Sequence, residues 1–240
     1  MSYNFTPYDG RLQSEVEQTE LAYLTKKTEN YSSQLIKLIN CAYQIAQSKQ
    51  EPTNEQYQIF YEGLFASWSN ISFWHSGVHL ANLSHQYSKA GEVLIEAARH
   101  QKSPVRFNAV MALLAYPSQD VIDTVIEMCV ADKSSRVRGK VADVCGRMQD
   151  KTKVALLQKQ QQTETNEKVK EGLNFAIYWL QYDYKLEPGY HIGTYNLNVR
   201  TETGYTGITI SQEEMDKYGI DKIVQWVKNN QWHHGPPEEQ

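Results

Sequence analysis

The sequence contains few cysteines, and their positions exclude a disulfide framework. Cys41, Cys129 and Cys145 are the only three among 240 residues, and they form no Cys-x-x-Cys motif. An odd number of widely spaced cysteines is typical of a chain that stays in a reducing compartment. Cys129 and Cys145 fall on the apolar faces of predicted helices, so we expect them to act as small buried hydrophobic residues.

The sequence also lacks any hydrophobic run near the roughly 20 residues that a membrane-spanning helix needs. Its first residues, Met1 to Asp9, include neither the basic nor the apolar region of a secretory signal. With 40% hydrophobic residues, the chain still has enough apolar side chains for a large core. These observations predict a soluble protein located in the cytoplasm.

Motifs for catalysis and cofactor binding are absent as well. No Gly-rich phosphate loop, Gly-x-Ser-x-Gly elbow or kinase motif set occurs. His75 and His79 are spaced i, i+4, which could place two imidazoles on one helical turn, but no third ligand or His-Glu-x-x-His arrangement accompanies them. We therefore predict no catalytic residue, no metal site and no cofactor, and we interpret the two histidines as an incidental pair.

Charge shows no large excess of either sign, but it is unevenly distributed. The net charge is −4 for the whole chain, and it is −4 over residues 1–98, +4 over residues 99–153 and −4 over residues 154–240. A nucleic-acid-binding protein typically has an overall excess of positive charge, which this chain lacks. Its middle part nevertheless forms one positive zone.

Three stretches of the sequence align at a fixed period. Each has a Val followed by a cation, with a second apolar residue four positions after the Val. The three copies are Val105-Arg106 with Ala109, Val137-Arg138 with Val141, and Val169-Lys170 with Leu173. A constant period of 32 residues predicts a solenoid, in which each repeat buries its apolar face against its neighbours.

Helical spacing of apolar residues predicts helices along most of the chain. Outside the repeats they lie within residues 11–49, after the break at Glu51 to Asn54, and over residues 70–84. Within the repeats they are Gly91 to His100, a helix capped and begun by Ser103-Pro104, Val121 to Val130, Val137 to Met148, Lys151 to Gln161 and Glu167 to Leu180.

The pattern of apolar residues changes after Leu186. Tyr190 to Arg200 and Tyr205 to Ile210 are rich in Tyr, Thr, Val and Ile, and they predict a β-hairpin with the four-residue loop 201–204. A capping box at Ser211 to Glu214 then begins a helical segment that Gly219 interrupts. A hairpin and helix placed here would cover the exposed apolar face of the last repeat.

The predicted organisation is therefore mainly α, with three parts. Residues 1–186 form a helical solenoid whose clearest repeats are residues 88–182. Residues 187–232 form a cap of β-hairpin plus helix, and residues 233–240 form a disordered tail.

One repeat resembles the consensus of HEAT-like repeats. Asp132 stands in the turn, Val137-Arg138 begins the helix, and Val141-Ala142 and Gly146 follow. The resemblance is good over residues 88–182 and poor over residues 53–87. It implies an α-solenoid, a fold that hosts scaffolds, lyases, DNA glycosylases and inhibitors alike.

Six cations of the repeats form a candidate basic ridge, made of Arg106, Arg136, Arg138, Lys140, Arg147 and Lys170. The resemblance implies that the arginine after the Val pairs with the turn Asp of its own or a neighbouring repeat, for which Asp132 is available. Alternatively, the ridge binds phosphates or an acidic protein.

Aromatic residues crowd the predicted junction between solenoid and cap, and we divide them between core and interface. They are Tyr178, Trp179, Tyr182, Tyr184, Tyr190, Tyr195 and Tyr205, followed by Trp226 and Trp232. Tyr and Trp are favoured on a surface that is exposed to solvent and also binds a partner. The candidate protein-binding residues are Tyr182, Tyr184 and Trp226, with the acidic cluster Glu213, Glu214, Asp216 and Asp221.

These observations favour a non-enzymatic binding protein with one protein partner. We expect a bacterial immunity protein that neutralises a cognate toxin domain by occlusion, since the acidic cluster could cover the basic cleft of a nuclease. No membrane partner is expected.

Two alternatives stay open. A nucleic-acid-binding protein resembling the alkylpurine DNA glycosylases would line one concave groove with the arginines and Lys140 of the ridge, around an aromatic residue and a carboxylate such as Asp143 or Asp150. A bilin lyase-like or scaffold HEAT protein is supported by the repeat alone.

Overall fold

The computed structural model describes residues 32–66, 72–201, 204–232 and residue 237. Within these residues, nine α-helices precede a three-stranded sheet and two further helices. The first nine are α1 Ser32–Ser48, α2 Asn54–Gly63, α3 Ser72–Ser84, α4 Ser88–Arg99, α5 Ser103–Ala112, α6 Gln119–Cys129, α7 Ser135–Met148, α8 Val154–Thr163 and α9 Glu167–Gln181. The remainder are β1 Tyr184–Pro188, β2 Thr194–Thr201, β3 Gly204–Ser211, α10 Gln212–Tyr218 and α11 Ile220–Lys228.

Polar residues begin several of these helices. At α2, Thr53 accepts a hydrogen bond from the Gln56 N–H, and the Gln56 side chain accepts one from the Thr53 N–H. Ser211 and Glu214 form the predicted capping box at α10. The prediction that Ser103 caps its helix is wrong, because Ser103 is already helical and no side chain caps α5. The following proline stands in the first turn, where its missing N–H costs nothing.

The helices form consecutive hairpins that stack in two layers. The first helices α2, α4 and α6 pack in succession, and the second helices α3, α5, α7 and α9 pack in succession beside them. In the last hairpin, α8 packs against α9. This arrangement is the predicted α-solenoid.

The repeat period marks equivalent buried positions in successive hairpins. Val105, Val137 and Val169 are at most 5% exposed, although they lie on three different helices. The apolar residues four positions later are buried as well. Each hairpin therefore contributes the same apolar face to one continuous core.

The cap has a separate, smaller core. β2 pairs antiparallel with β1 and with β3. Six buried apolar side chains from the sheet and α11 form this core, namely Leu197, Val199, Ile210, Ile223, Val224 and Val227. Mainly helical structure with a C-terminal sheet and helices agrees with the predicted fold class.

The sheet differs from the predicted hairpin in its limits. β1 was not predicted, and it begins at Tyr184. β2 begins at Thr194 rather than at Tyr190, because a turn occupies the preceding residues: Thr194 donates from its N–H and its hydroxyl to the His191 carbonyl, and Gly193 has a φ of +77°. Thr201 and Gly204 are paired strand residues, so the connection is shorter than the predicted loop.

Some predictions lie outside the described residues. These are the helical pattern over residues 11–31, the first two residues of the helix predicted over residues 70–84, the side chain of Tyr205, and the disordered tail, residue 237 apart. In the described part of the chain, no helix combines the length and the apolar character that crossing a bilayer requires.

Asp183 connects the solenoid to the cap. Its carboxylate lies 3.2 Å from Lys151 Nζ in the α7–α8 connection, 3.5 Å from Arg200 Nη1 on β2 and 2.9 Å from Lys228 Nζ on α11. The hydrogen bond from Lys228 is the main cause that lowers the pKa of Asp183 below its ordinary value. These contacts hold the cap so that β1 and β2 lie near α7 and α9.

Candidate functional site

A cleft of about 460 Å³ opens where the last two hairpins meet the sheet. Ala142 and Gly146 of α7 and Phe175 and Trp179 of α9 provide most of its apolar lining, and Asn198 of β2 lines the sheet side. A shallower depression of about 650 Å³ shares part of this lining and extends between α7 and α9. We call the two together the α7–α9 groove.

Small residues on α7 explain the cleft. A Cβ added at Gly146 would lie 3.6 Å from the Cα of Ala176, so α7 and α9 approach closely at this point. Neither Ala142 nor Gly146 has a side chain that could fill the space beside the larger aromatic rings of α9. The close helix contact and the open cleft therefore share one cause.

Phe175 is the principal apolar side chain of the groove. It is 48% exposed, and its ring and that of Trp179 meet edge to face with their centroids 5.8 Å apart. The Lys185 ammonium lies 4.4 Å from the Phe175 ring centroid and forms an ion pair with Glu187. An aromatic ring that neighbours hold in place while half of it faces solvent is suited to contact another protein.

Asp143 is the central carboxylate of the groove. It accepts hydrogen bonds from Lys140 at 2.7 Å and from Arg147 at 2.8 Å. Partial burial by itself would raise the pKa of Asp143, but these two hydrogen bonds outweigh the burial and lower the pKa. The carboxylate is therefore ionised at neutral pH, which does not suit a general acid.

Arg136 lies on the same face of α7. Its guanidinium carbon is 4.5 Å from the centroid of the Phe107 ring on α5, and Lys140 Nζ is 5.4 Å from the same centroid. A guanidinium placed over a ring face can still offer its N–H groups to a carboxylate. Among the described residues, no hydrogen bond or ion pair engages Arg136.

Two members of the predicted basic ridge are used inside the fold. Arg106 forms a bidentate ion pair with Asp132, at 2.5 and 2.7 Å, and its side chain is 6% exposed. Arg138 forms a bidentate pair with Glu164, with both distances at 2.6 Å. Asp132 was expected to pair with one of the aligned cations, and in the structure that cation is Arg106. Lys170, the third aligned cation, is exposed on α9.

The two ion pairs repeat the same geometry in successive hairpins. Each arginine also donates to a carbonyl in its own turn, Arg106 to His100 and Arg138 to Asp132, and these two carbonyls occupy equivalent positions of the repeat. The carboxylates accept backbone N–H groups two residues later, from Ser134 and Asn166. Each pair thus joins one repeat to the turn of the next.

The aromatic residues predicted to crowd the junction lie in different places. The rings of Tyr178 and Tyr182 are 4.9 Å apart, and Tyr182 is 51% exposed. Tyr184 on β1 is partly buried, and burial raises its pKa, with smaller effects of both tyrosines and Asp221. Trp226 instead packs inside the cap, in ring contact with Tyr218 and Trp232.

The acidic cluster likewise contains residues with different environments. Glu214 is occupied by the capping box, where it accepts hydrogen bonds from the N–H and the hydroxyl of Ser211. Glu213, Asp216 and Asp221 are exposed on α10 and α11. Asp216 also accepts a hydrogen bond from the Gln212 side chain at 2.8 Å, and the role of these three exposed carboxylates stays a prediction.

The cysteines and the histidine pair lie in the core. Burial raises the pKa of Cys129 and of Cys145 to about 12, so both are uncharged thiols at neutral pH, and their predicted burial is confirmed. His75 and His79 are 6% and 0% exposed. Across the described ranges, no group of three or more His, Cys, Asp or Glu side chains is placed to hold a metal ion.

Sequence reasoning did not select Phe175 or Lys185. The repeat alignment contains a signal for Phe175, because the equivalent positions of the two preceding repeats hold Asp143 and Met111. An aromatic residue where a neighbouring repeat has a solvent-facing Asp indicates an apolar side chain outside the core. Ile192, which is fully exposed in the β1–β2 turn, was also missed.

The comparisons with known proteins agree with this architecture. Residues 91–177 match the family model of HEAT repeats. No curated protein and no solved structure matches the chain. The match supports a HEAT-like repeat family over the hairpins that form the groove, and HEAT repeats typically mediate protein–protein interactions.

Proposed function

We propose that the protein is a non-enzymatic binding module that holds a segment of one protein partner in the α7–α9 groove. The observation that carries this proposal is Phe175, a half-exposed aromatic ring supported by Trp179 and Lys185 beside an open apolar cleft. Aromatic residues in such surroundings are the ones that contribute most to protein–protein affinity.

A photo-crosslinking amino acid at position 175 tests the proposal in the cells that produce the protein. We expect benzoyl-phenylalanine in place of Phe175 to yield one discrete protein adduct, identified by mass spectrometry, because the benzophenone would lie in the cleft. With that partner purified, Phe175→Ala is expected to weaken binding at least about tenfold, the effect of losing an aromatic anchor.

Tyr116 provides the matched control, since it is 56% exposed but stands in the α5–α6 connection away from the groove. The same amino acid at position 116 should not yield the adduct. Equal labelling at both positions, or no adduct at position 175, would contradict a groove-bound protein. An adduct sensitive to nuclease would favour nucleic acid, although Arg106 and Arg138, which that alternative places in the groove, are engaged in ion pairs.

We further propose that the partner is a toxin domain and that the protein acts as its immunity factor. The observation favouring this finer proposal is the set of exposed carboxylates on the cap, Glu213, Asp216 and Asp221. A nuclease toxin presents a basic substrate cleft, to which these charges are complementary.

Co-expression tests this proposal directly. The product of the gene next to this one is expected to arrest growth when expressed alone, and this chain should restore growth. Reversal of the three cap charges to Lys should abolish the rescue, because like charges would then face the basic cleft. Reversal of Glu92, Glu96 and Glu127, which are exposed on the solenoid, changes the net charge equally and should leave the rescue intact. A neighbouring product without toxicity, or rescue unaffected by the cap reversal, would count against the immunity role.

A further inference from the structure

The solvent-facing stripe of α7 carries more positive than negative charge. Arg136, Lys140, Asp143 and Arg147 follow one another at spacings of four, three and four residues, which places them along one face of the helix. The stripe is about 16 Å long at the rise of an α-helix. The stripe contains three cations and one carboxylate, so two positive charges are not compensated within it.

The two ends of the stripe, Arg136 and Arg147, have guanidinium N–H groups available to bind an anion. Arg136 lies over the Phe107 ring, with its guanidinium carbon 4.5 Å from the ring centroid, and makes no hydrogen bond within the described residues. Arg147 has a side chain that is 63% exposed, and its single bond to Asp143 leaves other guanidinium N–H groups available. Arg147 also lines the apolar cleft, as Phe175 does. A positive stripe therefore continues directly into an apolar site.

Resting on the proposed function, we propose that the groove binds an acidic peptide segment that carries one apolar anchor residue. The anchor enters the cleft against Phe175, and carboxylates of the segment bind the guanidinium groups of Arg147 and Arg136. An extended segment covers about 16 Å in five residues, so an acidic residue about five positions from the anchor reaches Arg136.

The groove fits a peptide better than a nucleic acid. Asp143 stands in the middle of the stripe, and Glu171 and Glu187 line the same groove. A nucleic acid presents a continuous row of phosphates, and some of these phosphates would lie close to the three carboxylates and be repelled by them. A peptide can place its few negative charges at the arginines and leave the carboxylates uncontacted.

Selection from a random peptide library displayed on phage tests the inference with the purified full chain. We expect the peptides enriched on the native protein, relative to Phe175→Ala, to share one apolar residue flanked by Asp or Glu. Synthetic peptides of that sequence should bind at least about tenfold more weakly to Arg136→Gln/Arg147→Gln. The control Lys102→Gln/Lys159→Gln removes two exposed charges outside the groove and should retain full affinity.

Asn198→Trp is a second variant, designed to fill the cleft from the sheet side, and thermal unfolding of each variant verifies that it folds. Enrichment of basic or uncharged peptides would overturn the acidic assignment and leave the groove as a protein site. If no peptide is enriched on the native protein relative to both Phe175→Ala and Asn198→Trp, the groove is not a binding site for peptides. A fluorescein-labelled single-stranded DNA that binds more tightly than the peptides, and loses binding in the arginine double variant, would replace the peptide by nucleic acid.

Discussion

Acidification from pH 7.5 to pH 5 is expected to lower the free energy of unfolding by about 4 kcal/mol through the buried histidine pair alone. Burial lowers the pKa of His75 to about 4, and burial with a smaller effect of His75 lowers the pKa of His79 to about 3. The ordinary pKa of an exposed histidine is 6.5. Their contribution is therefore complete above pH 6.5 and is lost as the unfolded chain takes up protons below it.

Urea unfolding followed by circular dichroism at pH 7.5, 6 and 5 measures this dependence. The variant His75→Gln/His79→Leu should have a much flatter profile, because neither replacement titrates in this range. His191→Gln removes an exposed imidazole and should leave the native slope unchanged. A native profile that is flat from pH 7.5 to 5, or a slope retained by the double variant, would show that the pair is not buried in the neutral form.

Arg138→Ala is expected to lower the free energy of unfolding by about 3–5 kcal/mol, because it leaves the Glu164 carboxylate buried without its cation. The Glu164 side chain is 1% exposed, and Arg138 bonds both of its oxygens at 2.6 Å. The expected decrease in the free energy of unfolding is therefore much larger than the decrease caused by breaking an ion pair on the surface. Thermal and urea unfolding at pH 7 measure the difference from the native protein.

The pH dependence of this variant separates the ion pair from simple loss of packing. The hydrogen bond from Arg138 is the main cause that lowers the pKa of Glu164 from 4.5 to about 2. The stabilisation is present above pH 4.5 and is lost as the pH falls toward 2, so the difference between native and variant should narrow in that window.

Two further variants check the interpretation. Arg138→Met/Glu164→Met should recover most of the stability, because no buried charge is then left alone. Lys89→Ala breaks the exposed pair with Glu92 and should cost less than about 1 kcal/mol. The prediction would be wrong if Arg138→Ala lowered the free energy of unfolding no more than Lys89→Ala does. It would also be wrong if the effect of Arg138→Ala stayed constant down to pH 2.

The turn ion pairs show how far the sequence could predict the repeat contacts. The alignment of Arg106 with Arg138, together with Asp132 in a turn, was enough to predict one pair. Glu164 stands one repeat period after Asp132 and could have been found in the same way. It was missed because a Glu replaces the Asp of the consensus, although both side chains end in the carboxylate that the pair needs.

The groove was less accessible to sequence reasoning. Gly146 was noticed as part of the repeat consensus, but its effect depends on how closely Ala176 of the next hairpin approaches, 3.6 Å from where a Cβ on residue 146 would lie. Phe175 borders a cleft only because the sheet is held beside α9 by contacts such as those of Asp183. Neither distance follows from local spacing.

The amino-acid sequence by itself determined the repeat, the helical hairpins with their equivalent buried valines, and the capping box that begins α10. These features depend on short-range spacing, since a helix turn or a cap involves residues three or four positions apart. Only the tertiary structure decided which cations form buried ion pairs and which remain exposed on the α7 stripe. That division depends on how closely successive hairpins approach and where the sheet lies against them, distances set by the packing of the whole core.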